Sequence, residues 1–191
     1  MKSPFDFLAT RRSIPAAFLA APAPDNEALR QILTVGARVP DHGKLGPWRF
    51  IVIRGDARLK LGEDCLAIRL RSKPDLTDIE QVNERTRFAK APLVIAVVSR
   101  PMPSEKATEW EQVLSAGAAA MNLLNASHAL GFAANWLTDW PAYDPDVRAL
   151  LGLTGSERFV GFIHIGTPTT PPQERYRPKL DDLVSEWAPL G

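Results

Sequence analysis

The residues near the start of the chain that are best suited to binding chemistry are Arg11, Arg12 and Ser13. Two guanidinium groups beside a hydroxyl suit a phosphate, because the planar fork of an arginine can bind two phosphate oxygens at once. The same tripeptide is also typical of a solvated helix end or turn, so it does not identify a site by itself. Arg175 and Arg177 form a second basic pair late in the chain, which is equally compatible with ordinary surface.

A second candidate lies in the loop VPDHGKLGPWRF, residues 39–50, where His42 stands among charged side chains, glycines and prolines. A histidine in such a loop is a candidate acid/base group or metal ligand. However, His42, His128 and His164 do not follow a zinc-binding spacing such as HExxH, and Cys65 is the only cysteine. The sequence therefore predicts no metal site and no intrachain disulfide.

Familiar catalytic signatures are missing from the sequence, which has no GxSxG elbow, no Walker-type phosphate loop and no GxGxxG after a strand. A nucleotide cofactor would therefore not be held in the Rossmann manner. The segment GFAANWLTDW, residues 131–140, has small residues before Trp136, which would let a flat ligand approach the backbone. The alternative interpretation of this segment is a strand and turn that line the core.

Composition limits the kinds of protein that these residues can belong to. The chain has 191 residues and a net charge of +1 from 23 basic and 22 acidic side chains. This length suits one domain, residues 1–191. A near-neutral charge without long single-sign blocks does not favour nucleic acid or an anionic membrane as a partner. The first 13 residues lack an apolar signal segment, and one cysteine fits a reducing compartment, so we expect a cytoplasmic protein.

Turn residues and apolar patterns predict the elements that must position these side chains. Asp25 is expected to cap a helix that runs to about Arg38, and Asp144 is expected to cap a short helix over residues 144–152. Buried strands are predicted at residues 48–53, 91–98 and 160–166. The proline-rich residues 168–178 are expected to run extended across a surface.

Residues 108–132 form the longest apolar segment, and polar or ionisable residues interrupt it too often for a membrane span. We therefore predict a buried helix. Its centre, SAGAAA at residues 115–120, has small side chains that allow another helix to approach closely. This composition indicates a helix at the centre of the domain or of a dimer.

The order of these segments resembles the flavin-dependent nitroreductase family. The resemblance rests on RRS near the start, RVPDHGKLGPWRFIVI, WEQVLSAGAAAMNLL, GFAANWLT, VGFIHIGTP and a late RYRP. It spans nearly the whole chain, and the PDH loop is similar to that of the compact branch of the family. It implies an α+β fold with a mixed sheet flanked by helices, completed as a homodimer that holds two FMN molecules at the subunit interface.

The resemblance also implies roles for ten residues in FMN binding. The group nearest the phosphate would be Arg11, Arg12, Ser13, Arg175 and Arg177. The partner subunit would supply Arg38 and His42. The opposite wall of the flavin would be formed by Trp136, Leu137 and Thr138. No side chain is expected to act as a nucleophile, because the flavin carries the chemistry.

The implied activity is ping-pong electron transfer from NADH or NADPH, through FMN, to a planar, electron-poor small molecule such as a nitroaromatic or a quinone. One alternative keeps the fold and changes the acceptor to an enone or a halogenated aromatic. Another alternative is a dimeric flavin sensor or carrier with little turnover. For His42, contact with the cofactor is favoured over donation of a proton to the acceptor.

Overall fold

The computed structural model describes residues 3–189, so residues 1, 2, 190 and 191 of the predicted domain lie outside the described part. The α-helices within this range are α1 (Pro4–Thr10), α2 (Asn26–Gly36), α3 (Ala57–Ser72), α4 (Asp78–Arg85), α5 (Glu109–Ala129) and α6 (Pro145–Leu150). The strands are β1 (Leu19–Ala20), β2 (Trp48–Arg54), β3 (Leu93–Ser99), β4 (Ala133–Leu137) and β5 (Arg158–Pro168). No helix in the described range is long and apolar enough to cross a membrane.

The strands form one sheet in the order β1-β5-β3-β2, and β4 also pairs with β5. Every strand pair among residues 3–189 is antiparallel, so the mixed character expected of the sheet does not arise within this part of one chain. Helices cover both faces of the sheet. The predicted α+β class is therefore confirmed.

The predicted strands occur where the sequence places them, but they differ in burial. All seven residues of β3, LVIAVVS, are buried, because β3 lies between β2 and β5 and both of its faces are covered by side chains. The strand β2 was also expected to be buried. It is instead half-buried, because within the described residues it pairs only with β3 and so lies at the edge of the sheet.

The cap of α2 forms as the sequence predicts, and the helix ends slightly earlier than expected. The Asp25 carboxylate accepts a hydrogen bond from the Ala28 N–H at 2.8 Å, and α2 ends at Gly36 rather than near Arg38. Helix α6 likewise begins after its Asp144 cap. Helices α3 and α4 fill the connection between β2 and β3, where the sequence patterns predict no element.

Helix α5 begins with a capping box in which Thr108 and Glu111 bind each other's backbone N–H. The expectation of a buried helix holds for one face only. Ala116, Ala120 and Leu123 are fully buried against the sheet, whereas Trp110 is 68% exposed on the opposite face. Helix α5 and α2 cover one face of the sheet, and α3 with α6 covers the other.

The chain after β5 packs into neither of the apolar cores that lie on the two faces of the sheet. Residues 169–189 are exposed throughout and contain only a short 3-10 turn, Leu180–Asp182. The first part of this segment runs along the surface of the chain, as expected, because the Thr169 N–H donates to the Phe18 carbonyl at 3.0 Å and Arg12 binds the Gln173 carbonyl at 3.3 Å. Large apolar side chains are exposed along it, namely Tyr176, Leu180, Leu183, Val184 and Trp187.

Candidate functional site

The basic tripeptide follows the end of α1, where the Arg11 N–H donates to the Phe7 carbonyl at 2.8 Å and the backbone turns into an extended conformation. The next side chain, Arg12, is only 10% exposed. Its Nε donates to the Gln173 carbonyl at 3.3 Å and lies 3.5 Å from the Glu174 carboxylate. An early and a late segment of the chain thus come into contact at the predicted phosphate-binding residues.

A cleft of about 530 Å³ opens between the tripeptide, β4 and the chain after β5. Its lining includes Arg12, Ser13, Phe18, Asn135, Pro172 and Arg175. This volume lies within the range of pockets that hold small molecules or cofactors. The structure therefore brings Arg12, Ser13 and Arg175 together. Arg177 does not line this cleft and is exposed on the C-terminal segment.

Arg11 lies in an adjoining cavity of about 230 Å³, which shares Arg12, Ile14 and Pro172 with the cleft. Its Nη1 is buried and has no hydrogen-bond partner among the described residues. Burial, followed by the charge of Arg12, lowers the pKa of the Arg11 guanidinium. Because an unsatisfied buried donor is costly, this atom fits an anionic acceptor such as a phosphate oxygen.

His128 lines the same cavity as Arg11, although its position in the sequence gives no sign of a site. Burial and then the charge of Arg11 lower its pKa to about 4. Its Nε2 accepts a hydrogen bond from the Ala134 N–H at 3.3 Å, so the proton of the neutral ring is on Nδ1. A neutral imidazole adds no positive charge here, and it holds the start of β4 beside the basic residues. Only the folded structure shows this proximity, since His128 is far from Arg11 in sequence.

The predicted flavin wall lies on β4 and the turn after it. Trp136, Leu137 and Thr138 line a cavity of about 270 Å³ together with Arg87 and His164. The indole of Trp136 also packs against the core layer beneath α2 and α5, so the core-lining interpretation is correct for this ring. Leu137 is 38% exposed, which leaves it available to a ligand.

An irregularity in β5 receives the Trp136 indole. Val97 pairs with Gly161 and Val98 pairs with Phe159, so Val160 is an extra residue that forms a β-bulge. The indole Nε1 donates to the Val160 carbonyl at 3.1 Å. A Cβ at Gly161, whose φ is +154°, would lie 2.2 Å from that Nε1, so a side chain at this position would displace the ring.

The loop that carries Arg38 and His42 is fastened to one face of α5. Asn122 Nδ2 donates to the Arg38 carbonyl at 2.9 Å, and the Ser115 hydroxyl donates to the Pro40 carbonyl. Both side chains point from the helix to the loop because residues 115 and 122 lie about two turns apart. These anchoring residues were not predictable from the sequence, since polar side chains within an apolar helix give no sign of what they bind.

His42 is held by the first turn of the same helix. Its Nδ1 lies 3.1 Å from Glu111 Oε1. Within the loop, the Asp41 carboxylate accepts hydrogen bonds from the Leu45 N–H at 2.9 Å and the Gly46 N–H at 3.0 Å. Neither Arg38 nor His42 lines the cleft formed by its own chain, and both are exposed.

The site offers binding groups and lacks an activated nucleophile. Cys65 is buried, and burial raises the pKa of its thiol to about 12, so it is unreactive at neutral pH. No group of three or more His, Cys, Asp or Glu residues within residues 3–189 could hold a metal ion. The basic cleft can therefore bind an anionic molecule, which must supply any redox chemistry itself, and the cavity at Trp136, Leu137 and Thr138 is separate from it within one chain.

Comparisons with known proteins agree with this architecture. The "Nitroreductase family" model matches residues 8–167. The chain is similar to "Putative NAD(P)H nitroreductase YdjA" of Escherichia coli strain K12, with 36% identity over 163 residues, which cover 85% of this chain and 87% of YdjA.

Two solved structures are also similar over nearly their whole length. A "putative nitroreductase in complex with fmn" from Desulfovibrio desulfuricans has a TM-score of 0.74 and 26% identity, covering 99% of this chain and 100% of its own. A nitroreductase-like protein from Bacillus cereus has a TM-score of 0.80 and 22% identity, covering 98% and 97%, and shows the fold alone. The resemblance seen in the sequence is thus confirmed, and the chain belongs to the nitroreductase family.

Proposed function

We propose that the protein is an FMN-dependent oxidoreductase that transfers electrons from NADH or NADPH to a planar, electron-poor small molecule. The observation that carries this proposal is the buried Nη1 of Arg11, which has no partner in residues 3–189 and adjoins the cleft of Arg12, Ser13 and Arg175. Two guanidinium groups and a hydroxyl in the cleft, with the Arg11 guanidinium in the adjoining cavity, match the phosphate of FMN. The names of the similar proteins, which mention FMN and NAD(P)H, support the same cofactors.

The residues of this chain would bind and orient the cofactor. Arg11, Arg12, Ser13 and Arg175 would hold its phosphate, with Arg177 contributing from the C-terminal segment. Trp136, Leu137 and Thr138 would form a wall for its flat ring. When bound, FMN supplies the redox chemistry, because it can take a hydride from a nicotinamide and give electrons to an acceptor. Fixing the ring and placing positive charge nearby are then the contributions of the protein.

We also propose a homodimer in which the partner supplies Arg38 and His42 to each cofactor. Helix α5 has a stripe of apolar and small residues facing outwards, in which Trp110, Leu114 and Met121 are exposed and Gly117 and Ala118 are half-buried. A Cβ at Gly117 would meet nothing within 4 Å in one chain, so another helix can approach closely there. The exposed apolar side chains after β5 also need a cover. A second copy of the chain would bury both surfaces.

We infer the acceptor class from a site that would stack a flat molecule on the cofactor. Nitroaromatics and quinones suit it, because they are flat and take up electrons readily. Enones and halogenated aromatics are alternative acceptors for the same site. The alternative function that is not enzymatic is that of a flavin sensor or carrier. The reduced, buried Cys65 fits a cytoplasmic location.

Anaerobic titration separates these possibilities. The purified protein is mixed with NADH or NADPH in the absence of oxygen while the flavin absorption is followed. We expect the nicotinamide to bleach the flavin, and a nitroaromatic or quinone to restore the colour. Bleaching without recovery by any acceptor would support the sensor or carrier. A colourless protein that does not take up added FMN would contradict the proposal.

A further inference from the structure

The side chain of His42 shares a hydrogen bond with a carboxylate, and this contact determines which ring nitrogen carries the proton. His42 Nδ1 lies 3.1 Å from Glu111 Oε1. Hydrogen bonds from Thr108, followed by the bond to His42, lower the pKa of the Glu111 carboxyl. An ionised carboxylate can only accept hydrogen bonds. His42 Nδ1 must therefore be the donor.

A neutral histidine that is protonated on Nδ1 has its lone pair on Nε2. No hydrogen bond to Nε2 is formed within residues 3–189, and the His42 side chain is 62% exposed. The Nε2 atom can thus accept a hydrogen bond from a molecule outside this chain. FMN has suitable donors in its ring N–H and its ribityl hydroxyls.

Glu111 is itself fixed in place. Its Oε2 accepts hydrogen bonds from the Thr108 N–H at 2.7 Å and the Thr108 hydroxyl at 3.0 Å. The capping box therefore sets the direction of Oε1. Ser115 of the same helix also binds the Pro40 carbonyl, so α5 holds the loop two residues before His42 as well as at the ring itself.

We propose that Glu111 is a positioning residue, which fixes His42 as the Nδ1–H tautomer and directs Nε2 to accept a hydrogen bond from the FMN of the partner subunit. This inference rests on the proposed function, and it assigns His42 to the binding of the cofactor. In this tautomer the neutral ring has no proton on Nε2 to give to an acceptor molecule. Glu111 therefore acts on the site only through His42.

The chain offers a matched control for a test. Glu111→Gln keeps a residue that suits a capping box but removes the negative charge. Thr77 and Glu80 form an equivalent capping box at the start of α4, where the Glu80 carboxylate accepts from the Thr77 N–H at 2.8 Å. Glu80→Gln therefore makes the same chemical change in a capping box whose carboxylate does not bind His42.

The first measurement is the ¹⁵N NMR spectrum of the His42 ring at alkaline pH, without FMN. We expect the Nδ1–H tautomer in the wild type and in Glu80→Gln. In Glu111→Gln we expect a shift towards the Nε2–H tautomer. An unchanged tautomer in Glu111→Gln would overturn the proposal, since the carboxylate would then not control the ring.

The second measurement is the dissociation constant for FMN. We expect Glu111→Gln to weaken binding by about fivefold, in line with the loss of one ordinary hydrogen bond, and Glu80→Gln to leave it unchanged. The double variant Glu111→Gln/His42→Gln should bind FMN as His42→Gln does. Additive losses would show that Glu111 does not act through His42. A wild type that binds no FMN would refute the proposed function, whereas FMN binding with an unchanged tautomer would refute only the role of Glu111.

Discussion

Gly161 leaves the space that the indole of Trp136 occupies. A Cβ at Gly161 would lie 2.2 Å from Trp136 Nε1 and 2.9 Å from the Leu137 carbonyl oxygen, so the bulge of β5 fixes the shape of the predicted flavin wall from behind. A polar contact reinforces this packing, because the same Nε1 binds the Val160 carbonyl. The wall on β4 is therefore held by a residue that need not touch the cofactor.

Gly161→Ala should destabilise the fold and weaken FMN binding together. Overpacking of this kind costs about 1 to 3 kcal/mol in free energy of unfolding. Urea unfolding followed by tryptophan fluorescence measures the stability, and fluorescence titration measures the FMN affinity. Gly161→Ala should cost less free energy of unfolding in a Trp136→Ala variant, because the indole ring is absent there. An equal loss of stability with and without the Trp136 ring would show that Gly161 does not make room for the indole.

Arg11→Ala and Ser13→Ala should weaken FMN binding without unfolding the chain. Hydrogen bonds to a charged group contribute about 1.5 to 3 kcal/mol, which corresponds to roughly 10- to 100-fold in the dissociation constant. Arg71→Ala is the control, because Arg71 is exposed on α3 and pairs with Asp146 at the surface. Riboflavin lacks the phosphate, so its dissociation constant should differ little between the wild type and the variants. If both variants bind FMN as tightly as the wild type does, the phosphate assignment is wrong.

Ala118→Leu should weaken the proposed dimer, because a larger side chain on the outward-facing stripe of α5 would overpack a close contact, at a cost of about 1 to 3 kcal/mol. Sedimentation over a range of protein concentrations measures the dissociation of the dimer. Ala67→Leu on the exposed surface of α3 is the matched control and should have no such effect. Equal behaviour of the two variants would mean that Ala118 lies outside the subunit contact.

His42→Gln should lower FMN affinity and leave the electron-transfer steps on bound FMN nearly unchanged. If His42 instead gave a proton to the acceptor, reoxidation would slow by about 10²- to 10³-fold. Stopped-flow measurement of the reductive and oxidative halves, on FMN-saturated variant across pH, separates the two roles. A large decrease in the rate of the oxidative half-reaction alone would contradict the cofactor role of His42.

The buried His164 and the half-buried His128 should make the protein less stable in mild acid. Burial lowers the pKa of His128 and of His164 to about 4, from an ordinary value of 6.5. Between these pH values the unfolded chain binds protons that the folded chain does not. The free energy of unfolding should therefore fall as pH drops from about 6.5 towards 4. His128→Gln should reduce that slope in urea unfolding series, and an unchanged slope would show that His128 is not a source of it.

The sequence predicted the elements with strong local signals. Helices α2 and α6 begin at the expected aspartate caps because a side-chain carboxylate there satisfies free backbone N–H groups. The strands β3 and β5 were recognisable because a strand covered on both faces reads as a continuous apolar run.

Features that depend on distant contacts were not predictable in this way. Helix α3 was missed because its apolar residues do not follow one regular stripe along a largely polar segment. The contacts of Arg12 with Gln173 and of Glu111 with His42 join residues far apart in the chain, and they leave no local pattern. The resemblance to a family supplied the candidate FMN-binding residues, whereas the structure supplied the residues that hold them in place.

An FMN site completed by two subunits can be observed by analytical ultracentrifugation at the flavin absorption bands. We expect the flavin to sediment with a species of twice the mass of one 191-residue chain, with one FMN per chain, and to lose its colour when NADH or NADPH is added without oxygen. Flavin that sediments at full occupancy with a single chain would contradict the shared site. Protein that sediments without flavin in the presence of excess FMN would contradict FMN binding by this protein altogether.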